Sequence, residues 1–295
     1  MSKAGFIALL GFPNAGKSSL FNRLVQHKLA AITPKPQTTR HNIPGILTRD
    51  DIQYIFIDTP GWVTLPKNRW HKALMQRSLS AMKNSDVQVW VLSLKQSLSP
   101  LPSEVETHLL KAKALIGAFS QGDTLPPSER QSRTAELQSQ LQAYPFKEWI
   151  DVSFDKPTIP FLDTVARFLP ESPFLYPSEE LSYLPTRFFV EEILRETIYT
   201  HLQEEVPYGT EVQIETYKET PERDFIYATI YVEKESHKLI VIGAKGRMIK
   251  KIGIEARQKI QQLVGKPVHL ELYVKVAPKW RHSRLYLKSL GYETF

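Results

Sequence analysis

Gly11-Phe12-Pro13-Asn14-Ala15-Gly16-Lys17-Ser18 decides the reading of this chain. The stretch matches G-x-x-x-x-G-K-[ST], directly after the apolar run Phe6–Leu10 and directly before a helical segment, Ser19–Val25. Glycines let the backbone curl so that successive N–H groups point inward at phosphate oxygens, and the following helix N-terminus adds partial positive charge. Lys17 is placed to neutralise the outer phosphates and the Ser18 hydroxyl to ligate Mg²⁺. A chance glycine-rich turn rarely carries both flanks, so Asn14, Ala15, Gly16, Lys17, Ser18 and Ser19 are the candidate phosphate-binding residues.

Downstream, Asp58-Thr59-Pro60-Gly61 follows the run Tyr54–Ile57, which puts Asp58 at a strand's C-terminal end, where ligands of open α/β sheets collect. Asp58 would hold Mg²⁺ through water, and the Gly61 N–H could bond a terminal phosphate. Alone, the tetrapeptide is an ordinary turn; paired with the upstream loop it is far more specific. Between the two lies Thr33–His41, polar and broken by prolines, which reads as a mobile loop.

Apolar runs alternate with helix-length segments on either side. Phe6–Leu10, Tyr54–Ile57, Val87–Leu92, Ala114–Phe119 and Trp149–Val152 are the expected strands, apolar on both faces as in a mostly parallel, helix-covered sheet. Gly45–Thr48 would hairpin into Gln53–Ile57 through Asp50-Asp51. Arg69–Lys83, Glu104–Lys111, Ser128–Ala143 and Ile159–Phe168 are the expected covering helices.

With 295 residues the chain exceeds the usual single-domain size, so two domains are expected. The boundary falls where Pro170–Ser178 crowds three prolines into nine residues without periodicity, giving a first domain over 1–170, a linker over 171–183 and a second domain over 184–295. The second part reads as a helix, Thr186–Leu202, two alternating runs, Thr210–Tyr217 and Phe225–Val232, a helical section to about Val264, and a strand, His269–Val276. The order is α-β-β-α-α-β.

Charge is unevenly placed. Residues 1–49 contain seven Lys or Arg and no Asp or Glu, and a second acid-free stretch runs from Ser236 to Gly253, so both regions suit anionic ligands. Absence of cysteine excludes disulfides, a thiolate nucleophile and a Cys-based zinc site, and points to the reducing cytoplasm. The start, Met1 to Leu10, resembles a signal peptide only until Gly11 and Pro13 interrupt it, and it reads as a buried strand.

Val241–Gly253 contains Ile242-Gly243-Ala244-Lys245-Gly246, an Ile-Gly-x-x-Gly core between two helical segments. A bare GxxG is weak; in an α-β-β-α-α-β array with bases around it, it is the setting of a type II KH fold. There the glycines let an RNA backbone approach, Lys245 and Arg247 meet phosphates, and Ile242 and Ile249 flank unstacked bases. The RNA-contact candidates are Ile242, Gly243, Ala244, Lys245, Gly246, Arg247, Ile249 and Lys250. The plainer reading is a helix–helix turn with a solvated basic face.

Together with Gln37-Thr38-Thr39-Arg40, Gly253–Arg257 and the tail from Val274 to Tyr292, these motifs resemble the Era family of ribosome-assembly GTPases over nearly the whole chain. The resemblance implies a Ras-like P-loop GTPase domain followed by an α+β type II KH domain. It implies GTP and GDP as ligands, Thr38 and Thr39 in the first switch with Thr39 on Mg²⁺, and slow hydrolysis without a side chain that orients water, since Trp62 and Val63 follow Gly61. It also implies a monovalent cation such as K⁺ held partly by Asn14, for which loop capping is the simpler alternative. As partners it implies the 3′ end of 16S rRNA and the 30S subunit, with peripheral inner-membrane association and a monomeric state. Arg281, Arg284 and Lys288 in the tail are further bases within reach of RNA.

One family motif is altered. Where the family has Asn-Lys-x-Asp, this chain has Ser120-Gln121-Gly122-Asp123, and the companion Ser-Ala-x segment corresponds to Ser153-Phe154-Asp155. Asp123, which pairs with guanine, is kept. The Asn tether between loops and the Lys that covers the base are not, so weaker guanine affinity or looser base choice is expected. Ser120, Gln121, Asp123, Ser153 and Phe154 are the candidate base-site residues. A broad-specificity NTPase and an RNA-binding protein with a non-cycling nucleotide site remain the competing readings.

Overall fold

A computed structural model describes residues 2–292; Met1 and the last three residues of the expected second domain lie outside the described residues. Backbone proximity divides the chain into two compact units. One holds residues up to Ala30 with Thr39–Pro66 and Leu74–Tyr183; the other holds Ala31–Thr38, Lys67–Ala73 and the chain from Leu184 onward.

The first unit is built on strands β1 (Lys3–Leu10), β2 (Ile43–Arg49), β3 (Ile52–Asp58), β4 (Val87–Ser93), β5 (Leu115–Ser120) and β6 (Phe146–Asp151). Their order is β2-β3-β1-β4-β5-β6, with β2 antiparallel to β3 and every other pairing parallel. Helices α1 (Lys17–Val25), α2 (Arg69–Lys83), α3 (Ser103–Leu110), α4 (Pro127–Gln140) and α5 (Ile159–Ala166) occupy the stretches that the periodicity predicts, within a few residues at each end. Strands apolar on both faces need cover on both faces, and β1, β4 and β5 are accordingly buried almost throughout.

The proline-rich 171–183 segment runs beside this sheet. Gln53 is fully buried in β3; its Nε2 donates to the Tyr176 carbonyl at 2.8 Å and its Oε1 accepts from the N–H groups of Leu175 and Tyr176 at 2.8 and 3.0 Å. Ile46 in β2 donates its N–H to the Leu181 carbonyl at 2.8 Å. A buried amide with its donor and acceptors used holds a segment that lacks periodic structure of its own.

The second unit contains α6 (Thr186–His201), β7 (Glu211–Glu219), β8 (Asp224–Val232), α7 (Glu235–Ile242), α8 (Arg247–Val264), β9 (Val268–Val276) and α9 (Arg284–Ser289). Its sheet has the order β7-β8-β9, antiparallel then parallel. The α-β-β-α-α-β order is therefore as expected from the sequence. The short α9 is not: a six-residue helix has too few turns to show periodicity, and it is recognisable only from Ser283, whose Oγ accepts the Tyr286 N–H. The tail is anchored from inside. Arg195 is buried between Glu192 and Glu211, its Nη2 lying 3.1 Å from Glu211 Oε1, and the Tyr292 hydroxyl donates to the same Glu211 carboxylate. Arg281, one of the tail bases considered for RNA contact, pairs with Glu233 at 2.5 Å within the unit.

Gly117 in β5 sits in register with Trp149, and a Cβ added there would lie 2.1 Å from the indole. Gly117→Val is expected to destabilise the first unit by about 1–3 kcal/mol through overpacking, with the urea midpoint of that unit as the measurement.

Candidate functional site

β1 and β3 are parallel neighbours with Leu9 opposite Asp58, so the loop after one and the end of the other meet at the same sheet edge. The loop needs glycine. Gly11 has φ +140°, and a Cβ there would lie 2.6 Å from the Val91 carbonyl; Gly16, at φ +89°, precedes the first residue of α1. Asn14 also lies in the left-handed region, at φ 60°, which Asn tolerates better than most residues; this is a backbone reason for its presence that needs no cation. Lys17 folds back so that Nζ donates to the carbonyls of Gly11 at 3.1 Å and Phe12 at 2.9 Å. Burial lowers its pKa to about 8, partly opposed by the charge of Asp58.

Three oxygens converge beside this loop. Ser18 Oγ donates to Asp58 Oδ2 at 2.6 Å, Thr39 Oγ1 donates to the same atom at 3.2 Å, and the two hydroxyls are 2.9 Å apart. Neighbouring ligands of an octahedral Mg²⁺ at about 2.1 Å lie about 3 Å apart; the Ser18 and Thr39 hydroxyls have that spacing, and the Asp58 carboxylate beside them can accept from a water on the ion, so this donor set fits Mg²⁺. Thr38, the other switch candidate, is not brought in: its Oγ1 bonds Thr33 Oγ1 at 2.6 Å and the Lys35 carbonyl at 2.9 Å. Gly61 approaches the loop so closely that a Cβ would lie 2.7 Å from the Pro13 nitrogen. Trp62 turns into the core, where its Nε1 donates to Ser78 Oγ at 3.1 Å.

A cavity of about 400 Å³ adjoins the loop, lined by Gly16, Ser19, Ser120, Gln121, Asp123 and Phe154 among others. Ser120 Oγ donates to the Ala15 carbonyl at 2.6 Å, and Gln121 Nε2 donates to the Asn14 carbonyl at 3.0 Å. The altered motif thus keeps a tether to the phosphate loop, made by two side chains, where the sequence suggests a weaker one. Ser153 Oγ accepts the Gly122 N–H at 2.8 Å, and Asp123 Oδ1 accepts the Phe154 N–H at 3.2 Å. Leu20, Arg23, Lys95, Thr124 and Val152 also line the cavity and are absent from the expected set. For Leu20 and Arg23 a signal exists, since they share the Ser19 face of α1 at helical spacing.

In the second unit Gly243 and Gly246 both take positive φ, +73° and +75°, and Lys245 between them lies at φ 51°. Ala244, Lys245 and Arg247 are exposed on this loop. Beside it a groove of about 280 Å³ is lined by Ile249, Lys250, Gly253, Ile254, Arg257, Leu270 and Leu272. Of the RNA-contact candidates, Ile249 and Lys250 line this groove and Ile242 does not. The stripe 249/250, 253/254 and 257 is the i, i+4, i+8 face of α8, and 270 and 272 share a face of β9; both periodicities are visible in sequence, but which faces meet is not. Among the described residues no helix is long and apolar enough to cross a membrane.

The chain matches two family models, a 50S ribosome-binding GTPase over residues 6–120 and a KH domain over residues 205–281. It is 39% identical to GTPase Era of Caldicellulosiruptor saccharolyticus, with 98% of this chain and 97% of the relative covered. It is 37% identical to GTPase Era of Thermoanaerobacter sp. (strain X514), over 98% of this chain and 96% of the relative. Among solved structures, Era in complex with MgGDPNP and nucleotides 1506–1542 of 16S ribosomal RNA superposes with a TM-score of 0.92, at 30% identity and 99% of each chain. A point variant of Aquifex aeolicus Era bound to GDP.AlF4⁻ superposes with a TM-score of 0.91, at 31% identity over 98% of this chain and 99% of that one.

Phosphate beside Lys17 favours the ammonium form and raises its pKa. Since that pKa lies near about 8 in the free protein, diphosphate binding at pH 8 is expected to take up roughly half a proton per site. Calorimetry of GDP binding in buffers of different ionisation enthalpy measures this, and Lys17→Met should abolish the uptake.

Proposed function

The chain belongs to the Era family of GTPases, and from that membership we propose that it is a GTP-hydrolysing switch that binds the 3′ region of small-subunit rRNA and assists maturation of the 30S subunit. The observation that carries the nucleotide half is the convergence of Ser18, Thr39 and Asp58 oxygens within 3.2 Å beside a phosphate-binding loop. In this reading Ser18, Thr39 and Asp58 hold Mg²⁺, which supplies charge neutralisation at the phosphates. Lys17 and the N–H groups of residues 14–19 bind phosphate oxygens, and Asp123 takes the guanine edge. Trp62 is committed to the core, so hydrolysis depends on positioning and electrostatics, and its unassisted rate is slow.

The RNA half is supported by the groove beside the GxxG loop and by the rRNA seen with the similar Era structure. Phosphates would approach the positive-φ glycines and Lys245, while unstacked bases enter the groove against Ile249, Ile254 and Leu272. Ser120 and Gln121 both hydrogen-bond to the phosphate loop, which favours a working guanine site over a degenerate one.

Two variants test the halves separately. Asp58→Ala should abolish measurable GTP hydrolysis in a phosphate-release assay while leaving RNA binding of the GxxG loop intact. Gly246→Asp places a carboxylate where nothing lies within 4 Å of a new Cβ, in a conformation that Asp tolerates, so it adds repulsion without a clash. It should weaken binding of a small-subunit rRNA 3′-end oligonucleotide at least about tenfold in fluorescence anisotropy, with hydrolysis unchanged in the absence of RNA. Lys245→Ala should cost less and lower the salt dependence by about one charge. Undiminished RNA binding by Gly246→Asp contradicts the assignment.

A further inference from the structure

We propose that Phe154 is the aromatic stacking surface for the nucleotide base and that Arg23 is the positioning residue that holds it. The inference rests on the nucleotide site described above and adds a determinant of base binding to it.

Gln121 is committed at both ends of its amide. Nε2 donates to the Asn14 carbonyl at 3.0 Å, and Oε1 accepts from Ser93 Oγ at 2.6 Å, so Gln121 lines the cavity with an amide already used at both ends and brings no aromatic face to it. A purine face left against water forfeits the stacking that aromatic partners provide. Phe154 lines the same cavity and, at 75% exposed, is the most exposed aromatic ring among the described residues.

Its position is built. The Arg23 guanidinium lies over the ring, 5.2 Å from its centroid, within cation–π range. The same guanidinium donates to the carbonyls of Val152 at 3.0 Å, Ser153 at 3.3 Å and Lys156 at 2.5 Å. From the other side Arg130 binds Asp151 at 2.8 Å and Asp155 at 3.0 Å. The loop is thus held from α1 and from α4, and a ring held in place loses less entropy on binding a base. The Phe154 N–H donates to Asp123 Oδ1, so the ring is tied through its own backbone to the carboxylate that takes the guanine edge. A carboxylate has lone pairs enough to accept from Phe154 and from the base together.

The two residues have separable roles. Asp123 reads the hydrogen-bonding edge, whereas an aromatic face stacks on any purine. Phe154→Ala should therefore weaken GDP and inosine diphosphate by the same factor, about tenfold, and leave pyrophosphate binding unchanged, as read by calorimetric titration of the full chain with Mg²⁺. Phe154→Leu, which keeps bulk without a π-face, should fall with the Ala variant, and Phe154→Trp should stay within about threefold of the native affinity. Arg23→Ala should weaken GDP binding only while Phe154 is present, so the double variant should be no weaker than Phe154→Ala alone. Phe154 is exposed, so its replacement leaves the core intact. GDP affinity of Phe154→Ala within about twofold of native, or native affinity of Phe154→Leu, overturns the proposal. Lys17→Ala is the control that separates this from the site itself: if it binds GDP as well as the native chain does, the nucleotide site is misplaced. If it fails to bind while Phe154→Ala binds normally, only the stacking role falls.

Discussion

The 2.6 Å hydrogen bond from Ser18 Oγ to Asp58 Oδ2 joins the phosphate loop to the end of β3, and the rest of the first unit is arranged to permit it. It requires that β1 and β3 be parallel neighbours, since only then do the C-terminal ends of both strands lie together. Parallel neighbours require crossovers over the sheet faces, which is why the strands are apolar on both sides and why helices follow them. It also requires a loop that turns within a few residues, and glycines at positive φ provide that where a Cβ would strike the Val91 carbonyl.

Bringing these groups together has an electrostatic cost. Lys17 is buried beside carbonyl dipoles, and desolvation lowers its pKa toward neutrality even with Asp58 nearby. The free site therefore holds a cation poorly compensated by its surroundings, and an anionic phosphate relieves that burial. Binding affinity at such a site comes partly from correcting an unfavourable arrangement that already exists in the free protein.

The second unit solves a different problem. Its GxxG loop exposes Lys245 between two glycines, Gly243 and Gly246, and all three residues lie at positive φ. Behind it, the buried Glu192–Arg195–Glu211 cluster ties α6 to β7, and Tyr292 ties the tail to Glu211. Removing Arg195 would leave two carboxylates buried without their cation, which is why such clusters tolerate change poorly even when they add little net stability.

Much of this was legible in consecutive residues. The strand–GxxxxGKS–helix order, Asp58 at a strand end, and the α-β-β-α-α-β order with its GxxG all depend on hydrophobic period and on backbone conformations that particular residues allow. These are local properties, and a single sequence records them. The fate of the Gln121 amide, the Arg23 contacts with a loop 133 residues away and the meeting of α8 with Leu270 and Leu272 were decided by the tertiary structure. Each depends on strand order and on which faces pack together, and those are set by the summed burial of many distant side chains, which no short stretch of sequence contains.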